Sequence, residues 1–270
     1  MRKLWIAVFA AAAGIPTGIT LCRETRKKQR EARAEGKHVP YGVYEAVLKR
    51  RFDFFFALAA IILLSPVIFI TAVFVKKKLG KPVIFIQKRP GKDEKIFEMY
   101  KFRSMSDARG KDGALLPDEE RLGKFGKTLR ATSLDELPEL FNIIKGDMSV
   151  VGPRPQLVRD LVFMTKEQRR RHEVRQGLTG LAQVKGRNAI EWERKLALDL
   201  EYIRKITFAG DIKIICKTLI KAFVKREGIT DGDMATAYDY GDWLLKTEKV
   251  SQKEYKEKQC EAEIILDMNL

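Results

Sequence analysis

Asp135 and Glu136 stand side by side in the stretch from Arg130 to Pro138 (RATSLDELP), where a segment of periodic apolar residues begins. Two adjacent carboxylates could bind Mg2+, which takes oxygen ligands and shares them with substrate phosphates. An aspartate can also attack phosphorus and carry the group as an acyl phosphate. The same residues support a plainer reading. Ser133 and Glu136 fit a capping box, in which both acids would only serve a helix N-terminus. That N-terminus would still offer free N–H groups and a positive dipole end to a phosphate. Arginines crowd this part of the chain: Arg130, Arg154 locked between Pro153 and Pro155, and Arg187 in Gly186-Arg187-Asn188. Planar guanidinium groups suit bidentate phosphate binding, although each of the three alone reads as a solvated surface charge. Neither a Walker-type phosphate loop nor a Gly-x-Gly-x-x-Gly fingerprint occurs, which argues against the common nucleotide folds.

The whole chain has the charge such chemistry needs. Its 270 residues carry 52 Lys and Arg against 36 Asp and Glu, a formal net charge of +16. That excess calls for an anionic partner: nucleic acid, phosphorylated metabolites or anionic lipid. With 45% hydrophobic and 33% charged residues the chain is neither disordered nor a many-span membrane protein. Cys22, Cys216 and Cys260 have no framework spacing, and His38 and His172 lie too far off to complete a zinc site. A small secreted disulfide domain is ruled out.

Two apolar stretches must hold these residues at a membrane. Leu4 to Cys22 is 19 residues without a charge, and reads as a signal peptide or an uncleaved anchor. The basic run that follows (Arg23, Arg26, Lys27, Lys28, Arg30, Arg33, Lys37) resists translocation and favours an anchor whose C-terminal side is cytoplasmic. Phe52 to Val75 is 24 residues with Asp53 as its only charge. As a straight helix it would reach ~36 Å, enough to cross a ~30 Å hydrocarbon core. Its flanks, Lys49-Arg50-Arg51 and Lys76-Lys77-Lys78, both ask for the cytoplasmic side, and Ser65-Pro66 interrupts its middle. Pro66 removes a helical N–H and disfavours helical geometry at the residue before it. The expectation is a re-entrant helix, with the Ser65 hydroxyl satisfying a freed backbone group. A kinked spanning helix is the alternative.

Elsewhere, Pro82–Gln87 and Lys95–Arg103 read as two strands joined by a Pro90-Gly91-Lys92-Asp93 turn. Ser106 to Leu116 reads as a loop. Leu134, Leu137, Leu140, Phe141 and Ile144 predict one helix over 133–145, and Lys166 to Arg175 a basic helix. Gly152-Pro153-Arg154-Pro155 is a rigid extended stretch. Trp192, Leu196, Leu200 and Ile203 form a further helical stripe. In Ile212 to Arg226, lysines at 213, 217, 221 and 225 alternate with Ile212, Ile215, Leu219 and Phe223, the pattern of a helix lying in a headgroup layer or of an ordinary surface helix.

Taken together, KRRFDFFFALAAIILLSPVIFITA, VIFIQKRPG, YKFRSM, SLDELPELFNIIKGDMSVVGPRP and LTGLAQVKGRNAI resemble the monotopic phosphoglycosyl transferases of the bacterial sugar transferase family. The likeness runs from about Tyr44 to Ile229 and looks closest to short members that load di-N-acetylbacillosamine phosphate. It implies transfer of a sugar 1-phosphate from a UDP-sugar to polyprenyl phosphate, with release of UMP. It implies a mainly helical α+β fold with a small hairpin, on the cytoplasmic face of a bacterial inner membrane. Carried over by motif, Asp135 is the nucleophile, and Glu136 helps hold Mg2+ and takes part in proton transfer. Lys101 of YKFR, Arg130, Arg154 and Arg187 hold phosphate groups, and Pro153 shapes the backbone around Arg154. The chain then divides into an anchor (1–22), a basic linker (23–43), the transferase domain (44–229, with the re-entrant helix at 52–75) and a polar tail (230–270). Gln176 and Leu181 depart from the proline and tryptophan usual in the family, which bears on local loop shape and sugar choice. The implied partners are the UDP-sugar, the polyprenyl phosphate and anionic membrane lipid, without nucleic acid, and a homodimer is compatible with the resemblance. A membrane-tethered nucleic-acid binder would explain the charge, but not the acidic pair or the doubled basic flanks. A catalytically silent scaffold would not need the intact Asp135-Glu136. The sugar and the glycan pathway stay open.

Overall fold

The computed structural model describes residues 18–186, 190–221 and 238–268. Helix α1 (Gly18–Ala34) leads through a π-helical turn (Tyr44–Leu48) into α2 (Lys49–Leu79), the longest element. Strands β1 (Ile84–Pro90) and β2 (Ile96–Phe102) follow, then α3 (Lys124–Ala131), a 3-10 turn (Leu134–Glu136), α4 (Glu139–Lys145) and β3 (Met148–Val151). After short helical turns come β4 (Gln176–Thr179), α5 (Trp192–Arg204), α6 (Phe208–Ile220), α7 (Tyr240–Lys246) and α8 (Gln252–Asp267).

The mainly helical α+β reading holds. The hairpin forms as expected, antiparallel from Ile84 against Phe102 to Pro90 against Ile96, and 106–116 is a loop. A second sheet was not anticipated: β3 and β4 pair in parallel, Met148 with Gln176 and Val151 with Thr179. All four residues of β3 are buried, so no polar alternation marks it as a strand.

Helix α2 would measure ~46 Å if straight, and only 11% of its most apolar window is buried. Asp53, its one internal charge, is not left in the apolar surroundings. It is buried, accepting from the Ser149 hydroxyl (2.8 Å) and the Val150 N–H (3.1 Å). Arg50 donates to the carbonyls of Ile143 and Ile144 at the C-terminal end of α4, as a cation suits that end of a helix. Early residues Ala57, Ala60 and Ile61 join the main core with Met99, Leu140 and Ile143. Late residues Ile68, Ala72 and Val75 join a second cluster with Phe102 and Leu129, and Leu137 packs on both clusters. Between these two groups Ser65, Pro66 and Val67 are all exposed, and the helix runs through them without the break expected at Ser65-Pro66. Pro66 cannot donate to the Ile62 carbonyl four residues back, and the Ser65 hydroxyl does so instead, at 2.8 Å.

Three local expectations are corrected. Helix 133–145 divides at Pro138 into the 3-10 turn and α4. The capping box does not form: Ser133 sits at φ 54° with no side-chain cap bond, and Glu136 turns to cations elsewhere. The basic helix 166–175 is a single turn (Lys166–Arg169) and a 3-10 stretch (Arg170–Glu173) whose Arg171 and His172 are buried.

Both flanking regions carry structure. The basic run after Cys22 continues as α1, whose Lys28 donates to Ala46 O and Gln29 to Pro40 O. In the C-terminal region α7 and α8 pack onto the body. Asp160 accepts from the Tyr240 N–H at 2.9 Å, Arg159 pairs with Asp239, and Tyr255 stacks on Phe163. Most of the Leu4–Cys22 segment lies outside the described residues. On α6, Asp211 and Ile214 face inward while Phe208, Ile212, Leu219 and Ile220 are exposed. Phe208 lies 5.4 Å from Phe52 of α2, ring to ring.

Candidate active site

The acidic pair is placed by two close approaches. Gly126 brings α3 against the end of β2, where a Cβ would stand 1.9 Å from Ser104 O. Arg130, one turn later on α3, donates to the Ser104 hydroxyl at 3.0 Å. The chain then turns through Ser133 in left-handed geometry and presents Asp135 and Glu136 on the 3-10 turn beside β2. Lys101 reaches them from β2, and Arg154 from the loop that follows β3.

Both cations meet one atom. Glu136 Oε1 accepts from Lys101 Nζ at 3.0 Å and from Arg154 Nη2 at 2.5 Å. Lys101 also lies 3.1 Å from Glu139 Oε1. Burial alone would raise the Glu136 pKa, but the charges and hydrogen bonds of Arg154 and Lys101 outweigh it and hold the carboxyl well below the ordinary range. Arg154 is held charged in turn, chiefly by Glu136. Burial opposes the charge on Lys101, yet Glu136 and Glu139 more than offset it.

Asp135 has a different environment. It is 8% exposed, and burial first, then the neighbouring Glu136 charge, pushes its pKa up to about 6. Two adjacent carboxylates thus titrate far apart. Its cations hold Glu136 as the anion, while burial and that charge push Asp135 toward the neutral form, and such separation marks acid, base and nucleophile assignments.

Among the described residues no three His, Cys, Asp or Glu side chains cluster as a metal site. The donor set still suits Mg2+. The two cations converge on Glu136 Oε1, which leaves Oε2 and the Asp135 carboxylate as adjacent oxygen donors. Mg2+ is commonly held by one or two carboxylates, with substrate phosphates and water completing the shell.

Of the expected site residues, Lys101 and Arg154 meet Glu136 directly, and Lys101, Arg130 and Arg154 act on the neighbouring Asp135 through their charges. Pro153 stands directly before Arg154, its carbonyl accepting from the Gly177 N–H at 2.8 Å. Arg187 lies outside the described residues. Two neighbours were missed. Glu139, 1% exposed, is raised to about 7 by burial. Its spacing, four residues after Asp135 and three after Glu136, could have placed it on the same face. Arg89 packs toward Arg154, lowered to about 10 by burial and then by that like charge. No pattern in β1 distinguishes it from its basic neighbours.

The sequence profile described as bacterial sugar transferase matches residues 44–225. An uncharacterized sugar transferase of Bacillus subtilis, EpsL, is 49% identical over 191 residues, 71% of this chain and 94% of its own. The UDP-glucose:undecaprenyl-phosphate glucose-1-phosphate transferase of Klebsiella pneumoniae is 39% identical over 202 residues, 69% of this chain and 42% of its own. The UDP-N-acetylgalactosamine-undecaprenyl-phosphate N-acetylgalactosaminephosphotransferase of Aeromonas hydrophila is 37% identical over 196 residues, 68% of this chain and 45% of its own. The chain therefore spans nearly all of the first relative and less than half of the other two.

Proposed function

The chain belongs to the bacterial sugar transferase family, and from that premise we propose that it transfers a sugar 1-phosphate from a UDP-sugar to polyprenyl phosphate, releasing UMP, through a covalent adduct on Asp135. The observation that carries this reading is the buried Asp135 carboxyl beside a Glu136 neutralised by Lys101 and Arg154. Direct attack of a lipid phosphate on a sugar diphosphate would bring anions together in one step. A carboxylate nucleophile divides the task in two. In the first displacement an Asp135 oxygen bonds to the β-phosphorus, and the bond from that phosphorus to the bridging oxygen breaks. UMP leaves with that oxygen and its electron pair. In the second, an oxygen of the lipid phosphate bonds to the same phosphorus and Asp135 recovers its carboxylate. Arg154, Lys101 and Arg130 hold and orient the phosphates, while Glu136 keeps the first two in place. Arg187 is assigned to the same task by its motif. A divalent cation on Asp135 and Glu136 Oε2 would supply further neutralisation of phosphate charge.

The acceptor arrives along a membrane, and the reading places α2 in the cytoplasmic leaflet as a re-entrant helix turning at Ser65-Pro66. The packing of Ala57 and Val75, from opposite ends of α2, into two clusters that both adjoin Leu137 supports this reading. The exposed aromatic residues Phe52, Phe55, Phe56 and Phe208 would sit at its surface, with Lys213 and Lys217 toward anionic headgroups.

Purified protein mixed with undecaprenyl phosphate, Mg2+ and a panel of UDP-sugars should release UMP with one donor or a few. Release with none of them, while the lipid and metal are present, would overturn the assignment.

A further inference from the structure

The loop that carries Arg154 to Glu136 has two prolines in three residues, and neither has an N–H to tie it down. Its carbonyls are held instead. Pro153 O accepts from the Gly177 N–H of β4 at 2.8 Å, Arg154 O from Arg171 Nη2 at 2.5 Å, and Pro155 O from Arg89 Nη1 at 3.5 Å. Three successive carbonyls are thus gripped by three separate parts of the fold.

The middle grip is unusual. Arg171 is 0% exposed, and a guanidinium taken wholly out of water is unfavourable unless paired. Its Nε and Nη2 both bond to Asp199 Oδ2 of α5, at 2.9 and 2.8 Å, and Asp199 is itself 3% exposed. Nη2 is shared with the Arg154 carbonyl, so this buried ion pair reaches one backbone atom of the residue whose side chain works in the site. The Arg154 side chain itself is 40% exposed and several bonds long. Its tip is accurate only if its base is fixed.

We propose that Arg171, braced by Asp199, is a positioning residue for Arg154. It locks the carbonyl between the two prolines and so sets the direction in which the Arg154 guanidinium leaves the backbone. The inference rests on the reading of Arg154 as a phosphate ligand.

The test is a double-mutant cycle on UDP affinity, measured by calorimetry on the full chain in detergent, which needs no turnover. Asp199→Asn should weaken UDP binding about tenfold when Arg154 is present, and less than twofold in the Arg154→Lys background. Equal penalties in both backgrounds would show a general structural effect and overturn the proposal. So would an unchanged affinity in the single variant. Melting curves establish that each variant is folded. If Asp199→Asn is not, Arg171→Lys, which keeps the charge but loses the fork geometry, takes its place in the cycle. UDP failing to bind the unsubstituted chain would overturn the phosphate-ligand reading and the proposal with it. Binding with additive penalties would sink the proposal alone.

Discussion

Burial raises the Asp135 carboxyl to about 6, so its nucleophilic form fills as pH passes through that value. Single-turnover UMP release should therefore climb with pH through the acid range and level off, at lower pH once a divalent cation sits on the carboxylate. A rate that falls as pH rises through the acid range would contradict the assignment. Repeating the profile with Glu139→Gln separates the two titrations, because Glu139, raised to about 7, faces the same lysine. The shift also acts on stability. Between about pH 4 and 6 the folded chain keeps a proton on Asp135 that the unfolded chain releases, so stability falls as pH rises through this window. Asp135→Asn should then melt higher than the parent at pH 7.5, by roughly 3–8 °C, while transfer drops by roughly 10³-fold or more. Legibility at this scale was uneven. The acidic pair could be read directly from adjacent carboxylates among arginines. Ser133 misled, because a capping box is only a local offer, and two cations on Glu136 are the stronger partners. Arg171 reads as one more solvated charge in Arg169-Arg170-Arg171, and only the packing of Asp199 beneath it reveals a buried ion pair.

The elements set the distances on which those residues depend. Gly126 is where α3 presses on Ser104, just past β2, so Gly126→Ala should push the helix away from Ser104 and Arg130 with it. The expected cost is about 1–3 kcal/mol of stability, read as a lower melting temperature, together with a raised KM for the donor. A variant as stable and active as the parent would show that the helix can shift freely. In α2, Ser65→Ala leaves the Ile62 carbonyl without its hydroxyl partner. The hairpin was legible because two runs rich in β-branched and aromatic residues flank a Pro-Gly turn. The β3–β4 pair was not, since Met148–Val151 is buried at all four positions and its partner lies 28 positions later, joined by turns with no periodic signal. Pro138 divided a helix whose apolar spacing looked continuous, since spacing alone does not register the break a proline imposes.

For the whole molecule, the re-entrant reading fixes which side of the membrane each end of α2 occupies. Cysteines introduced at positions 49 and 78 should both react from the cytoplasmic side only. Labelling of either from the opposite side would sink the turn at Ser65-Pro66. Cys22, Cys216 and Cys260 are all exposed and must first be replaced. The exposed apolar face of α2 was legible from the apolar run between its doubled basic flanks. The docking of Asp53 onto β3 was not, because its partners Ser149 and Val150 lie almost a hundred residues away. The central claim, that this surface carries a two-step transfer through Asp135, is tested most directly by omitting the acceptor. Protein incubated with its UDP-sugar and Mg2+, but no polyprenyl phosphate, should release at most one equivalent of UMP. The peptide containing Asp135 should gain the mass of the sugar phosphate, and both signals should vanish in Asp135→Asn. No UMP and no adduct until lipid is added, with Asp135→Asn still turning over, would contradict the account.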